Sequence, residues 1–295
     1  GATQQFSMVP MSLLRGQKQA AEYLDTGYWS SKVVTEARRE GPGKVLWIGE
    51  SCGFNRLPTD EELAFSPDAP YLHYVSNETV EGLQFQRVLG RDDVPRVCDM
   101  SSDFLSKPCD ANKFSVIYAH AQKNIGPAGV TIVLVHDTVV KASSDELPSF
   151  LNYRRQVESH SNLTTPPLFA IYVVLLVTRW LLNDIGGLEN MEQTNRHKAE
   201  LLYAMLDNSD GFYNGWSSKA DRSQMNVAFK LPDVDLEKKF LAESHEAGFS
   251  GLAGHRAIGG IRASIYNALS LPAAEKLTNF MDDFMRKNRQ YYSPD

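Results

Sequence analysis

The 295-residue sequence predicts an α/β fold, with a large domain over residues 1–183 built on a mostly parallel sheet and a smaller α+β domain over residues 184–295. Three observations predict it. Short apolar runs of strand length, such as KVLWIGE (44–50) and FSVIYAHA (114–121), alternate with segments of helical periodicity. Polar residues capable of chemistry stand where those runs end, at Thr79, Asp99 and Lys123, as they do at the ligand-binding edge of an open α/β sheet. From about residue 184 the pattern changes to long helices separated by strand-like runs.

The elements follow in order. GATQQFSMVPMSLL (1–14) reads as a small-residue turn entering a helix. Residues 16–41 give a strand around AEYLDTG, then a helix from Ser30 or Ser31 closed by Gly41. KVLWIGE is a short apolar strand, and residues 51–70 are turn-rich with a short acidic helix in the middle. YLHYVSNETVEG (71–82) is a strand running into a polar loop, and VPRVCDMSSDF (94–104) is a strand ending in Asp99. FSVIYAHA and GVTIVLV (129–135) look like two fully buried strands, with Lys123 in the interruption between them. LFAIYVVLLVTRWLL (168–182) is too short to span a bilayer and is broken by Arg179, so it reads as a core helix. The second half reads as a long helix (MEQTNRHKAELLYAMLDNS), a strand (QMNVAFKL), a helix (DLEKKFLAESHEAGF), a strand-like GGIRASIYNAL and a closing helix (AAEKLTNFMDDFMRKN).

Composition is that of a soluble globular protein, 42% apolar and 22% charged. A net charge of −6 supplies no global attraction to nucleic acid or to an anionic membrane, which leaves small molecules as the expected substrates. Cys52, Cys98 and Cys109 are too few for a disulfide scaffold and lack zinc spacing, so no metal site is predicted. They read as reduced, which with the absence of a signal-peptide pattern suggests a cytoplasmic protein.

Most lysines are solvated, and one between strands would ordinarily be surface. Lys123, however, has apolar or small neighbours on both sides and the tight turn Gly126-Pro127-Ala128-Gly129 after it. A partly desolvated lysine has a lowered pKa, and its neutral amine can condense with an aldehyde. Asp99 lies 24 residues earlier at a strand end. It suits either of two tasks: capping the segment DMSS, or holding a proton on the ring nitrogen of pyridoxal phosphate, the carboxylate that such a cofactor requires. Trp29 in DTGYWSS suits stacking on that ring or packing in the core. Ala2 and Thr3 form a small-residue entry to a helix, where backbone N–H groups can hold phosphate. GHRAIGGIR (254–262) suits an anion site or a solvated basic turn.

These residues resemble the phosphoserine aminotransferase family, class V of the fold-type-I pyridoxal-phosphate enzymes. The likeness runs through QFSMVPMSLL, AEYLDTGYW, HYVSNETVEG, CDMSSDFLSKP, YAHAQKNIGPAGVT, TTPPLFAIY, LLYAMLDNSDGFY, MNVAFKL and GHRAIGGIRASIYNA, essentially the whole chain. The resemblance implies that Lys123 binds the aldehyde of pyridoxal 5'-phosphate and Asp99 pairs with its ring nitrogen. It implies that Trp29 stacks on the ring, Thr79 bonds near the ring oxygen, and Ala2, Thr3 and Gln122 meet the phosphate. Thr164 and Thr165 match the pair that reaches this phosphate from the other subunit of a homodimer. Arg262 would hold the substrate α-carboxylate, and His255 and Arg256 the substrate phosphate. The implied reaction moves an amino group from glutamate to 3-phosphohydroxypyruvate in serine biosynthesis, with 4-phosphohydroxythreonine in pyridoxine synthesis as a second activity.

The sequence departs from the family pattern in three places. His120 stands where relatives have a small residue, and its ring would either crowd the site or turn away into the sheet. Thr164-Thr165 replaces the commoner Asn-Thr. The family begins upstream with an arm, carrying a His-Arg pair for substrate, and a first strand; the resemblance therefore implies a natural protein longer than this sequence. Other readings share the fold: another class-V enzyme such as an alanine–glyoxylate aminotransferase, or a noncatalytic relative. A cysteine desulfurase needs a mobile catalytic cysteine, and Cys98 and Cys109 lie in or near predicted strands.

Overall fold

The structure is a computed structural model and describes residues 1–289. The first part of the chain runs α1 (Gln5–Leu13), β1 (Ala21–Asp25), α2 (Tyr28–Ala37), β2 (Gly43–Ile48), β3 (Leu72–Val75), the short strands β4 (Asn77–Glu78) and β5 (Leu83–Gln84), and β6 (Arg96–Asp99). It continues through β7 (Val116–His120), α3 (Ala121–Asn124), β8 (Thr131–Val135), α4 (Asp137–Ala142), α5 (Tyr153–Glu158) and α6 (Leu168–Asn183). Six strands form one sheet in the order β2-β1-β3-β6-β7-β8. All neighbours in it are parallel except β7 and β8.

The central strands are apolar because both faces are covered. Alternate residues point to opposite layers. Tyr23, Val97 and Tyr118 face a cluster with Phe6 and Val9 of α1 and Val33 and Val34 of α2. Leu24, Cys98 and Ile117 face the other cluster with Leu72, Tyr74 and Phe85. Parallel strands put their carboxyl ends on one edge, so the residues after β1, β3, β6 and β7 converge there.

The second part comprises α7 (Leu188–Asp207), β9 (Asn214–Gly215), β10 (Asn226–Lys230), α8 (Val234–Glu246), β11 (Ile261–Ser264) and α9 (Leu271–Asn288). Its antiparallel sheet, β11-β10-β9, packs with the helices around an aromatic core that includes Phe212, Tyr213, Phe229, Phe240 and Phe284. Hydrogen bonds tie the two parts together beside the convergent edge. Asn77 Nδ2 donates to Asn226 Oδ1 at 2.9 Å, and the Asn267 N–H donates to Asn124 Oδ1 at 2.9 Å. Lys198 is wholly buried, with its ammonium donating to the carbonyls of Ile265, Tyr266 and Leu269 at 2.9–3.0 Å.

Several expectations change. The helix α2 begins at Tyr28 rather than Ser30 or Ser31, because Glu78 accepts the N–H groups of Trp29 and Ser30 at 3.1 and 3.0 Å and supplies the cap from another element. The polar loop SNETVEG is buried throughout and forms most of the β4–β5 hairpin. The acidic helix is a single 3₁₀ turn, Asp60–Glu62. Lys123 sits in one turn of helix, α3, and β8 is only partly buried. The largest correction is α6, which is not a core helix. Leu168 is 70% and Phe169 77% exposed, and Ile171, Tyr172, Leu175 and Leu176 are exposed with them. Among the described residues no single helix is long and apolar enough to cross a membrane.

Candidate active site

At the convergent edge lies a cavity of about 210 Å3 lined by Gly1, Ala2, Thr3, Phe6, Trp29, Asp99, Ser101, His120, Gln122 and Lys123. Each strand delivers its part. After β7 the chain turns directly into α3, which brings Lys123 back over the sheet edge. Its Nζ donates to Thr79 Oγ1 at 2.6 Å and lies 4.8 Å from the centre of the Trp29 ring. Burial pulls the Lys123 pKa below its usual value, while the carboxylates of Asp99 and Glu78 act in the opposite direction.

Asp99 is the last residue of β6, between the strands that lead to Thr79 and Lys123. It is buried, and its Oδ1 accepts the Ser101 N–H at 2.8 Å. Burial raises its pKa, partly offset by Ser101 and Lys123. The capping role and the exposure to the cavity therefore coexist in one side chain. Trp29 packs against the sheet core and also walls the cavity.

The backbone of Tyr28, Trp29 and Ser30 is held by two carboxyl groups that the sequence reading did not single out. Glu78 and Glu81 lie under the start of α2, where Glu81 Oε1 accepts the Tyr28 N–H at 2.9 Å. The fit needs glycine at position 27, since a Cβ there would lie 2.6 Å from Glu81 Oε2 and 2.9 Å from the Glu78 carboxyl carbon. Burial, and then the charge of Glu78, push the Glu81 pKa up to about 8.

Arg262 reaches in from β11, with Nη1 3.4 Å from the Thr79 carbonyl oxygen and Nε buried without a hydrogen-bond partner among the described residues. His255 packs against Tyr28 with ring centres 4.6 Å apart and the planes tilted by 56°. Lys32, also missed, lies 4.5 Å from the centre of the Tyr28 ring and 5.5 Å from that of Trp29. Lys32 first, and Arg256 with it, lower the Tyr28 pKa. The mouth of the site is thus cationic. The signal for Lys32 was its position, three and four residues after Trp29 and Tyr28 on one helix face. Glu78 and Glu81 gave no such signal, because a carboxylate in a turn usually faces water.

His120 lines the cavity rather than facing away. Thr164 and Thr165 do not join it. They line an adjacent groove of about 440 Å3, together with Gly1, Thr131 and Ile171.

A buried amine, the face of an indole, a buried carboxyl and the opening turn of Ala2 and Thr3 suit a flat, anionic ligand that carries a carbonyl. The fold and this site define a fold-type-I pyridoxal-phosphate-dependent aminotransferase. The sequence model of the family "Aminotransferase class-V" matches residues 1–277, and the chain belongs to that family. Within it, the chain is 44% identical to the phosphoserine aminotransferase of Rhodopirellula baltica over 289 residues, 98% of this chain and 77% of that protein. The solved phosphoserine aminotransferase of Bacillus circulans subsp. alkalophilus superposes with a TM-score of 0.94 at 45% identity, over 98% of this chain and 79% of that one. The pyridoxal-phosphate-bound phosphoserine aminotransferase of Trichomonas vaginalis superposes with a TM-score of 0.87 at 32% identity, over 96% and 80%.

Proposed function

We propose that this chain acts as a phosphoserine aminotransferase, moving an amino group between glutamate and 3-phosphohydroxypyruvate to give phosphoserine and 2-oxoglutarate. The observation that carries the reading is the Lys123 amine held between Thr79 Oγ1 and the Trp29 face, with Asp99 at the end of the intervening strand. Identity of 44–47% to phosphoserine aminotransferases supports the substrate pair.

The residues present fit pyridoxal phosphate. Lys123 would hold its aldehyde, Trp29 would cover one ring face, Thr79 would bond near the ring oxygen, and Asp99 would keep a proton on the ring nitrogen. Ala2 and Thr3 open a 3₁₀ turn, whose first N–H groups are not bonded within the turn, and would meet the phosphate with Gln122. When bound, the cofactor supplies an electron sink for the pair released at the substrate Cα. Lys123 Nζ takes the Cα proton and returns it, a task suited to an amine whose pKa burial has lowered. Asp99 Oδ holds the positive charge of the protonated ring nitrogen in place. Arg262 orients the α-carboxylate, and His255 and Arg256, with Lys32 beside them, select the phosphorylated substrate at the mouth.

The reading includes a homodimer in which Thr164 and Thr165 of a second copy complete the phosphate site. Its support is the exposed apolar face of α6 and the groove where these threonines meet Gly1 and Thr131. It also takes the chain as two domains meeting at residues 183 and 184. The cytoplasm is the proposed location, consistent with three free cysteines.

The deciding assay presents glutamate with 3-phosphohydroxypyruvate, pyruvate or glyoxylate as acceptor. Phosphoserine formation should exceed both other products by at least about a hundredfold in kcat/KM, the discrimination expected from a charged-group contact. Equal or better use of glyoxylate overturns the assignment.

A further inference from the structure

The ring of His120 is placed by four features. It ends β7, and alternation puts it on the same face as Tyr118, whose ring packs 6.2 Å from that of Phe6 in α1. That face carries it beneath the turn Gly1–Gln4, where a Cβ built on Gly1 would lie 3.4 Å from Cε1 and 3.6 Å from Nε2. Its peptide N–H donates to Ser101 Oγ at 3.2 Å. Its Nδ1 meets Thr131 Oγ1, directly opposite on β8, at 3.0 Å.

The Thr131 contact is compatible with either tautomer, and the Val130 backbone also bonds the ring; with the Thr131 hydroxyl donating to Nδ1, the ring proton stands on Nε2. Burial keeps the pKa of the ring below the usual histidine value, so the neutral ring offers one donor. The cavity wall around it is made of Gly1, Ala2, Thr3 and Gln122, away from the Arg262 and His255 mouth.

We propose that His120 is an additional phosphate-binding residue, its Nε2–H held by Thr131 to donate to the phosphate of the cofactor. The inference rests on the reading of this cavity as the cofactor site. It makes Thr131 a positioning residue, acting through the imidazole from the strand at the sheet edge. It also places one extra directional donor beside the backbone N–H groups of Ala2 and Thr3, so that discrimination for phosphorylated over unphosphorylated vitamers depends on a side chain of the sheet.

The test is calorimetric titration of the full chain, freed of cofactor, with pyridoxamine 5'-phosphate and with pyridoxamine. Neither has an aldehyde, so Lys123 chemistry does not contribute. His120→Ala should weaken pyridoxamine 5'-phosphate about tenfold and leave pyridoxamine unchanged. His120→Gln, which restores an N–H donor, should recover most of the loss, and Thr131→Val should lose about threefold with phosphate-bearing ligand only. Equal losses on both ligands mean that the ring only supports the wall and overturn the inference, as does an unchanged preference in His120→Ala. A wild-type chain that does not favour pyridoxamine 5'-phosphate overturns the cofactor reading itself, and the inference with it.

Discussion

Lys123 Nζ reaches Thr79 Oγ1 at 2.6 Å across the end of the strand that carries Asp99. Three strands, β3, β6 and β7, are adjacent and parallel, so the three residues that follow or end them are set by sheet spacing rather than by flexible loops. Lys123→Arg keeps a cation at this point but removes the primary amine. Transamination should fall by about a thousandfold or more. Borohydride treatment should fix cofactor to the wild-type chain and not to the variant; cofactor fixed equally to both would remove Lys123 from its role.

Asp99→Asn separates charge from shape. The amide can still accept the Ser101 N–H that Asp99 Oδ1 accepts at 2.8 Å, so the turn after β6 should persist. It cannot hold a proton on a ring nitrogen as a carboxylate does. Covalent attachment of cofactor should survive while kcat drops about a hundredfold. A melting temperature near that of the wild type would separate this loss from unfolding, and unchanged kcat would leave Asp99 with only its capping task.

Glu81 gives stability a pH dependence. Burial and the neighbouring Glu78 raise its pKa to about 8, with Arg262 opposing weakly and the Tyr28 N–H bonded to Oε1. A raised carboxyl pKa means that the folded chain binds more protons than the unfolded one between about pH 4.5 and 8. The stabilisation is present in full below that window and is lost as pH rises through it. Glu81→Gln keeps an acceptor for the Tyr28 N–H and removes the titration. Relative to wild type it should gain about 3.5 kcal/mol between pH 5 and pH 8. Parallel denaturation midpoints for the two proteins across that range would rule out a buried protonated Glu81.

What could be read from sequence follows a physical division. Asp99 and Lys123 were legible because they stand at or just beyond the ends of apolar strands, and strand ends on one edge of a parallel sheet must meet. Glu78 and Glu81 were not, because the run SNETVEG has the composition of a solvated loop. Its burial comes from packing that is remote in sequence: Asn226 from β10 bonds Asn77, and Gln224 bonds Gln84. The helix 168–183 was read correctly as a helix and wrongly as core, since hydrophobic composition reports a need for cover without saying which chain provides it. Thr164 and Thr165 stand just before that same helix, outside the cavity of their own chain.

The exposed face of α6 therefore makes the dimer testable on its own. Phe169 is the most exposed apolar side chain on it, with Leu168 and Leu182 next, and Ile171 and Tyr172 extend the patch at its start toward the groove that holds Thr164 and Thr165. In a two-fold dimer one substitution acts twice. Burying a phenylalanine side chain contributes about 1.5–3 kcal/mol, so Phe169→Glu removes at least about 3 kcal/mol per dimer before any cost of burying charge. That corresponds to about a hundredfold or more in the dimer dissociation constant. Sedimentation at micromolar concentration should show a dimer for the wild-type chain and a shift toward monomer for the variant, with the helical content unchanged. Because the proposed phosphate contact of Thr164 and Thr165 crosses between copies, the same variant should bind pyridoxamine 5'-phosphate less tightly at low protein concentration and recover at high concentration. A variant that stays dimeric, or whose affinity ignores protein concentration, would place the second copy elsewhere on the surface.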